Sequence, residues 1–350
     1  MGYNLYMKKF LLLLISLLIG IGLFIWILKI VGWPEIKNAF LVFTGWQGLV
    51  ILGLTVLMML IGNWKWKEIL RGENVKISFR ELFKPYLAGF SVMFLAPIFL
   101  LGGEIFRGYV LKENNSIPWS KGMASVFIDR ILEWTANLVV IFFGVLSFLL
   151  IIGFPPRNLA IIFGGVFLFF AGGISYFYLN AFRRKSMARF ILKTLGLKNF
   201  NQGNTILETE KEIFDFLKPK RKSMWKGFGL SFLRAAAMYL RAWLLIVFLG
   251  KSISALPTLS ILGFTYLAAM IPIPTALGSH EAIQIFAFNS LGLGLSTATA
   301  FTMIIRGAEL IIALVGVVIL YRLGIGLIRH TLFKKTPTPN FGVGAKNHEI

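Results

Sequence analysis

Ten charged side chains of this sequence lie inside long apolar runs. Five are acidic: Glu104, Asp129, Glu133, Glu281 and Glu309. Five are basic: Arg107, Arg130, Arg234, Arg241 and Arg306. A charge at the centre of a bilayer costs roughly 2.5–3.5 kcal/mol even on the lenient insertion scale, so such groups persist only when they pair or face water. The equal numbers favour a shared polar interior over isolated accidents. Arginine brings a planar fork that matches phosphate oxygens. A carboxylate beside it can hold the fork in place or take a cationic part of a substrate. The chemistry within reach is recognition of an anionic group at membrane depth.

Spacing organises these charges. Arg130 and Glu133, and Arg306 and Glu309, are each three residues apart and share a helix face. Either pair could instead lock the bundle as a purely structural bridge. Glu104 and Glu281 each stand just after a backbone break. The first break reads Pro97 then Gly102-Gly103; the second reads Pro272-Ile-Pro274 then Gly278. Proline removes a helical hydrogen bond and glycine frees the backbone, so half-helix ends with orphan backbone groups are expected there. Such ends bind ions and headgroups. Arg234 and Arg241 share one face, seven residues apart. Arg234 is placed to snorkel to the near surface. Arg241 would lie roughly 20 Å deep, as a phosphate contact or as the partner of an acid. His280, beside Glu281, titrates near neutral pH when unperturbed; it is a proton-coupling group or a hydrogen-bonded spacer.

The elements that must position these groups are membrane helices. The chain has 350 residues, 57% hydrophobic and only 15% charged, against about a quarter charged in soluble domains. Apolar runs fall near 10–29, 46–63, 82–111, 122–152, 159–180, 227–250, 257–294 and 297–321, with room for about seven crossings. The run at 10–29 reads as a retained helix, since a signal peptide has a shorter core and a small-residue cleavage site. Trp33, Trp46, Trp64 and Trp66 fall at segment ends, as an aromatic belt does. The fold class expected is an all-α polytopic bundle, one domain over 1–330, with a polar, disordered tail at 331–350.

Basic residues set the expected topology. The stretches 63–84, 181–226 and the tail from Arg322 carry six, twelve and five Lys/Arg, whereas 30–45 (with Lys29 at its edge), 153–158, 251–256 and 291–298 carry four together. The positive-inside rule places the N-terminus, the 181–226 insertion and the C-terminus in the cytoplasm of a plasma-membrane protein. Segments 82–111 and 257–294 must then return to the side they entered, as re-entrant hairpins of opposite orientation. Pro97 precedes Glu104, and Pro274 precedes Glu281, by seven residues each. Glu104 precedes Arg130 by 26, and Glu281 precedes Arg306 by 25. Matched motifs in opposite orientation predict an inverted repeat. Within the insertion, Arg183 to Phe200 reads as a basic amphipathic helix on the inner leaflet or as a solvated connector.

Other classes find no support in the residues. Cysteine is absent, and the histidines His280, His330 and His348 are scattered, so neither a disulfide framework nor a metal site is expected. No P-loop, dinucleotide fingerprint, nucleophile elbow or metalloprotease motif occurs, so no cofactor is expected. The net charge of +21 follows from topology and from attraction to anionic lipid rather than from nucleic-acid binding.

Two stretches, Gly102-Gly103-Glu104-Ile105-Phe106-Arg107-Gly108-Tyr109 and Ser125-Val126-Phe127-Ile128-Asp129-Arg130-Ile131-Leu132-Glu133, resemble the flippase-like domain family, the transmembrane region of lysylphosphatidylglycerol synthases and its stand-alone relatives. The second break, Pro274-Thr-Ala-Leu-Gly278-Ser279-His280-Glu281, is similar to that family's glycine-rich form but carries His280 and a single clear glycine. The resemblance spans about residues 8–325. It implies two re-entrant segments around a lipid-accessible cavity, and translocation of a phospholipid or lipid-linked glycan between leaflets. The full-length synthases add a soluble aminoacyl-transferase domain, for which these 350 residues leave no room, so the resemblance is to the flippase part alone. The residues expected to line the path are Glu104, Arg107, Asp129, Arg130, Glu133, Arg241, His280, Glu281, Arg306 and Glu309. Membrane lipids with anionic headgroups are the expected partners, with a second copy or a lipid-pathway enzyme as further ones. The rival expectations are a membrane enzyme acting on a lipid-linked donor and a non-catalytic partner subunit.

Overall fold

The computed structural model describes residues 45–95, 102–194, 203–218, 221–270 and 279–333. Among them all regular structure is helical. The helices are α1 (Trp46–Gly72), α2 (Phe79–Leu95), α3 (Gly102–Asn115), α4 (Trp119–Ile151), α5 (Arg157–Arg183), α6 (Met187–Thr194), α7 (Gly203–Phe216), α8 (Lys222–Phe248), α9 (Ala255–Met270), α10 (Ser279–Ser290) and α11 (Leu295–Phe333). Five stretches are long and apolar enough to cross a bilayer: α1, α4, α5, α8 and residues Thr297–Gly324 of α11. The run at 10–29, Trp33, the breaks Pro97, Pro272, Pro274 and Gly278, and the tail beyond Phe333 lie outside the described residues.

Two short-helix pairs stand where the over-long runs were read. α2 and α3 run antiparallel, with Gly89 against Gly103 and Tyr86 against Arg107. The approach is backbone to backbone: a Cβ on Gly103 would sit 2.2 Å from the Gly89 carbonyl oxygen. α9 and α10 pair the same way, Thr265 with Gln284 and Phe264 with Phe286. The most extensive contacts between helices join α4 to α9, α1 to α8 and α2 to α11. At the α4–α9 crossing Gly144 lies against Gly263, which lets the two backbones close up.

Helix starts recur at a fixed interval. α1 and α8 begin at 46 and 222, α2 and α9 at 79 and 255, and α4 and α11 at 119 and 295, an offset of 176 residues each time. α1 and α8 are both 27 residues long. Between the two series lie α5, α6 and α7.

Two readings of the sequence need correction. The stretch 63–84 is not a loop, because α1 continues to Gly72. Its buried face, Met58, Met59, Gly62, Trp66, Ile69 and Leu70, keeps helical spacing through the charged residues. Trp66 is accordingly enclosed rather than set in a belt, whereas Trp46 and Trp64 are exposed. The insertion is also more than a connector. α7 buries Thr209, Ile213 and Phe216 at helical spacing, and Ile213 and Phe216 join Ala124, Ile128 and Leu132 of α4 in one apolar cluster. α6 is a short amphipathic helix that leaves Arg189 and Phe190 exposed. Glu210 of α7 accepts hydrogen bonds from the first amides of α6, those of Met187 (2.7 Å) and Ala188 (2.9 Å), which satisfies orphan donors at that terminus.

Candidate functional site: a buried charge cluster

Three residues of α4 form the hub. Asp129, Arg130 and Glu133 fall within about one turn, and α4 is wedged among α1, α3 and α8, so each side chain meets a different neighbour. Asp129 is enclosed. Its carboxylate takes Lys65 Nζ at 2.9 Å and Arg107 NH1 at 2.9 Å. Lys65 also donates to the Asp129 carbonyl oxygen at 3.1 Å. Arg130 pairs with Glu104 in the first turn of α3 and with Glu133 at 3.3 Å. Its other face meets Met93 Sδ at 2.9 Å. Glu133 also pairs with Arg234 of α8, and Lys65 Nζ lies 3.6 Å away.

The result is one connected group of seven side chains: Lys65, Glu104, Arg107, Asp129, Arg130, Glu133 and Arg234. Inside a low-dielectric bundle each charge depends on its neighbours, since an ion left alone there is strongly destabilising. Arg107 shows how closely it is held. Its guanidinium lies 4.0 Å from the centre of the Trp66 ring and 4.8 Å from that of Tyr86, an arrangement that stabilises a cation through the ring faces. Trp66 is pinned in turn by donating Nε1 to Ser125 Oγ at 3.1 Å. The cluster has a closed floor and an open rim. Lys65 and Asp129 are 1% and 2% exposed, whereas Arg130, Glu133 and Arg234 are 20%, 17% and 15% exposed.

A smaller site lies further along the bundle. Arg241, on the same face of α8 as Arg234, pairs with Glu309 of α11 at 3.1 Å and donates to Thr55 Oγ1 at 3.1 Å. Glu309 lies about four turns into α11, as Glu133 lies about four turns into α4. Arg306 precedes Glu309 by one turn and is half-buried. His280 and Glu281 belong to the first turns of α10; their side chains lie outside the described set. Gln284, on the next turn, is buried and donates to Thr265 at 2.6 Å.

Sequence reasoning named five of the seven cluster members as site residues, set Arg234 apart as a snorkelling side chain and missed Lys65. The missing signal was continuity of the helix: Lys65 falls on the buried stripe of α1, seven residues after Met58 and four before Ile69. Arg234 does not snorkel to the surface; it is drawn inward by Glu133. Arg241 is held by an acid and a hydroxyl. Among the described residues no group of His, Cys, Asp and Glu could hold a metal ion.

These features define an integral membrane protein built around buried, mutually paired charges. The chain belongs to the family described as the lysylphosphatidylglycerol synthase TM region, whose model matches residues 13–316. It is similar to a UPF0104 membrane protein of Methanocaldococcus jannaschii, 26% identical over 265 residues that cover 72% of this chain and 77% of the relative. It is 25% identical to a UPF0104 membrane protein of Pyrococcus horikoshii over 321 residues, covering 86% and 92%. A third relative, from Methanothermobacter thermautotrophicus, is 23% identical over 304 residues, covering 83% and 89%.

Proposed function

We propose that this protein moves a lipid with an anionic headgroup between the leaflets of the cell membrane, with the headgroup passing the charge cluster and the acyl chains staying in hydrocarbon. The observation that carries the reading is the open rim of Arg130, Glu133 and Arg234 on an otherwise enclosed ionic group. A purely structural cluster gains nothing from a rim, because exposure weakens each pair. A headgroup path requires one.

The architecture proposed is an inverted repeat with two re-entrant hairpins. The offset of 176 residues supports it. That shift carries Lys65 onto Arg241, Arg130 onto Arg306 and Glu133 onto Glu309, and one residue more carries Glu104 onto Glu281. The pairing of helices supports it as well. Exchange of α1 with α8, α2 with α9, α3 with α10 and α4 with α11 turns the α2–α11 contact into the α9–α4 contact. Inverted repeats set substrate sites near the midplane between their halves. The end of the bundle that carries α6, α7 and the basic insertion faces the cytoplasm, in line with its excess of Lys/Arg.

The test is leaflet exchange of labelled anionic and zwitterionic phospholipids in liposomes holding the purified protein. Exchange is expected with the parent and lost with Glu104→Gln and Arg306→Ala, both checked for folding. A parent protein that exchanges no lipid overturns the reading.

A further inference from the structure

Two halves with matched pairs are each electrically neutral: Lys65 and Arg130 against Glu104 and Glu133 in one, Arg241 and Arg306 against Glu281 and Glu309 in the other. Three charges have no counterpart under the shift. Arg107, one residue more along as for Glu104, falls on Gln284, Asp129 on Ile305 and Arg234 on Met58. Arg107 and Asp129 neutralise each other at 2.9 Å. The remaining excess is one positive charge, and it is Arg234.

Arg234 is also the most thinly paired cation of the rim, as Arg107, with Asp129 alone, is of the floor. Lys65 has Asp129 besides Glu133, and Arg130 has Glu104 besides Glu133. Among ion pairs between described residues, Arg234 has Glu133 alone. Glu133 thus serves three cations with one carboxylate. The Nε of Arg234 is buried with no hydrogen-bond partner, and a buried unpaired donor carries a desolvation cost that a ligand oxygen would relieve. The side chain stands on the rim with Arg130, and both guanidinium groups pair with the same carboxylate, Glu133.

We infer that Arg234, with Arg130, is the receptor for a single negative charge on the lipid headgroup, of the phosphodiester class, and that Glu133 holds the empty site by standing in for that anion. The inference rests on the translocation reading and adds to it the charge of the cargo and the half of the molecule that takes it. A monoanion brings the buried charge to zero; a neutral headgroup leaves the excess, and a dianion reverses it. The preference therefore follows the net charge of the cluster. Removal of Arg234 erases the preference for a monoanion. Removal of the Glu133 charge strengthens it and extends it to a dianion.

The experiment measures thermal stabilisation of the purified full chain in neutral detergent on titration with phosphatidylglycerol, phosphatidylcholine, phosphatidic acid at pH 9, and inorganic phosphate. The parent should respond to phosphatidylglycerol at a concentration about tenfold lower than to phosphatidylcholine, the scale of one charge-assisted contact. Arg234→Gln should respond equally to both, and Arg234→Lys should keep most of the preference. Glu133→Gln should respond to phosphatidylglycerol at lower concentration than the parent and gain a response to phosphatidic acid. Retention of the anion preference in Arg234→Gln, or its absence in the parent, overturns the inference. So does an equal response to inorganic phosphate, which makes the ligand a soluble anion. Should Arg234→Gln fail to fold, the Lys and Glu133→Gln variants decide the matter. Leaflet exchange on the same preparations separates the two claims. Exchange without headgroup preference overturns this inference and leaves translocation standing. Charge-selective binding without exchange supports this inference and overturns translocation.

Discussion

The first helical series, α1 to α4, gathers six charged side chains into one network that Arg234 of α8 completes. The second, α8 to α11, holds the Arg241–Glu309 pair braced by Thr55, and sets Ile305 and Gln284 where the first has Asp129 and Arg107. Both are built on long helices crossed by shorter ones, with glycine at the crossings. What differs is how many charges the scaffold is made to carry. The arginine–glutamate pair on the long helix is common to both series. The additional Asp129 and Arg107, and the unbalanced Arg234, distinguish one side of the molecule from the other.

Breaking the floor should have the largest effect. Asp129→Ala leaves Lys65 and Arg107 enclosed without their shared carboxylate and should destabilise by about 3–5 kcal/mol, read as loss of monodisperse protein or a large drop in Tm in detergent. Glu309→Gln should cost less, about 1–3 kcal/mol, because Arg241 keeps Thr55 and Glu309 is a quarter exposed. Equal losses would mean that the two sides carry the same ionic burden, and the contrast would fail.

The crossings give the next test. Gly103→Ala drives a methyl to 2.2 Å from the Gly89 carbonyl oxygen, so α2 and α3 must separate, at a cost of about 1–3 kcal/mol. Gly164→Ala on α5 meets nothing within 4 Å. It should be neutral or stabilising by up to about 1 kcal/mol through helix propensity. Thermal unfolding of both variants checks whether the tight glycines mark the paired series and not the inserted helix.

The smallest effect concerns the basic end. Glu73, just past α1, is pushed up to about 7, first by burial and then by a hydrogen bond with Glu212 of α7; Arg221 pulls it back. Arg221 donates to the Gly72 carbonyl oxygen at 2.8 Å and to Glu73 at 2.9 Å, so this cluster ties α7 and the start of α8 to the end of α1. An acid whose pKa is raised on folding contributes stability at low pH that is lost as pH rises through the folded value. Tm should therefore fall by a few degrees between about pH 5 and pH 8, and Glu73→Gln should flatten that slope. A parent Tm that rises over this range would remove the latch.

Most of the site was legible in one dimension because intramembrane charges are costly and so announce themselves against an apolar background. Glu104, Arg107, Asp129, Arg130, Glu133, Arg241 and Glu309 were all found that way. Lys65 was not, because it sits where an apolar run gives way to charged residues and such positions usually mean the helix has reached water. Trp66 was misread for the same reason. Only the partner that α4 presents, Asp129, makes it profitable to bury that turn. Proline and glycine inside over-long runs led to the expectation of hairpins; α2 packs antiparallel to α3, and α9 to α10, on either side of those breaks. The docking of α7 was not, since an amphipathic helix of that length suits a bilayer surface as well as a bundle.

By itself the sequence determined that this protein lives in a membrane, that its chain is helical, and that it carries charges there in two similar sets, because length, hydropathy and spacing are local properties. The tertiary structure alone decided which charges meet. Lys65 with Asp129, Arg107 between Trp66 and Tyr86, and Arg234 with Glu133 are contacts across 64, 41, 21 and 101 residues of chain. Coulomb attraction chooses among all nearby partners, and proximity between helices is set by packing rather than by order along the chain.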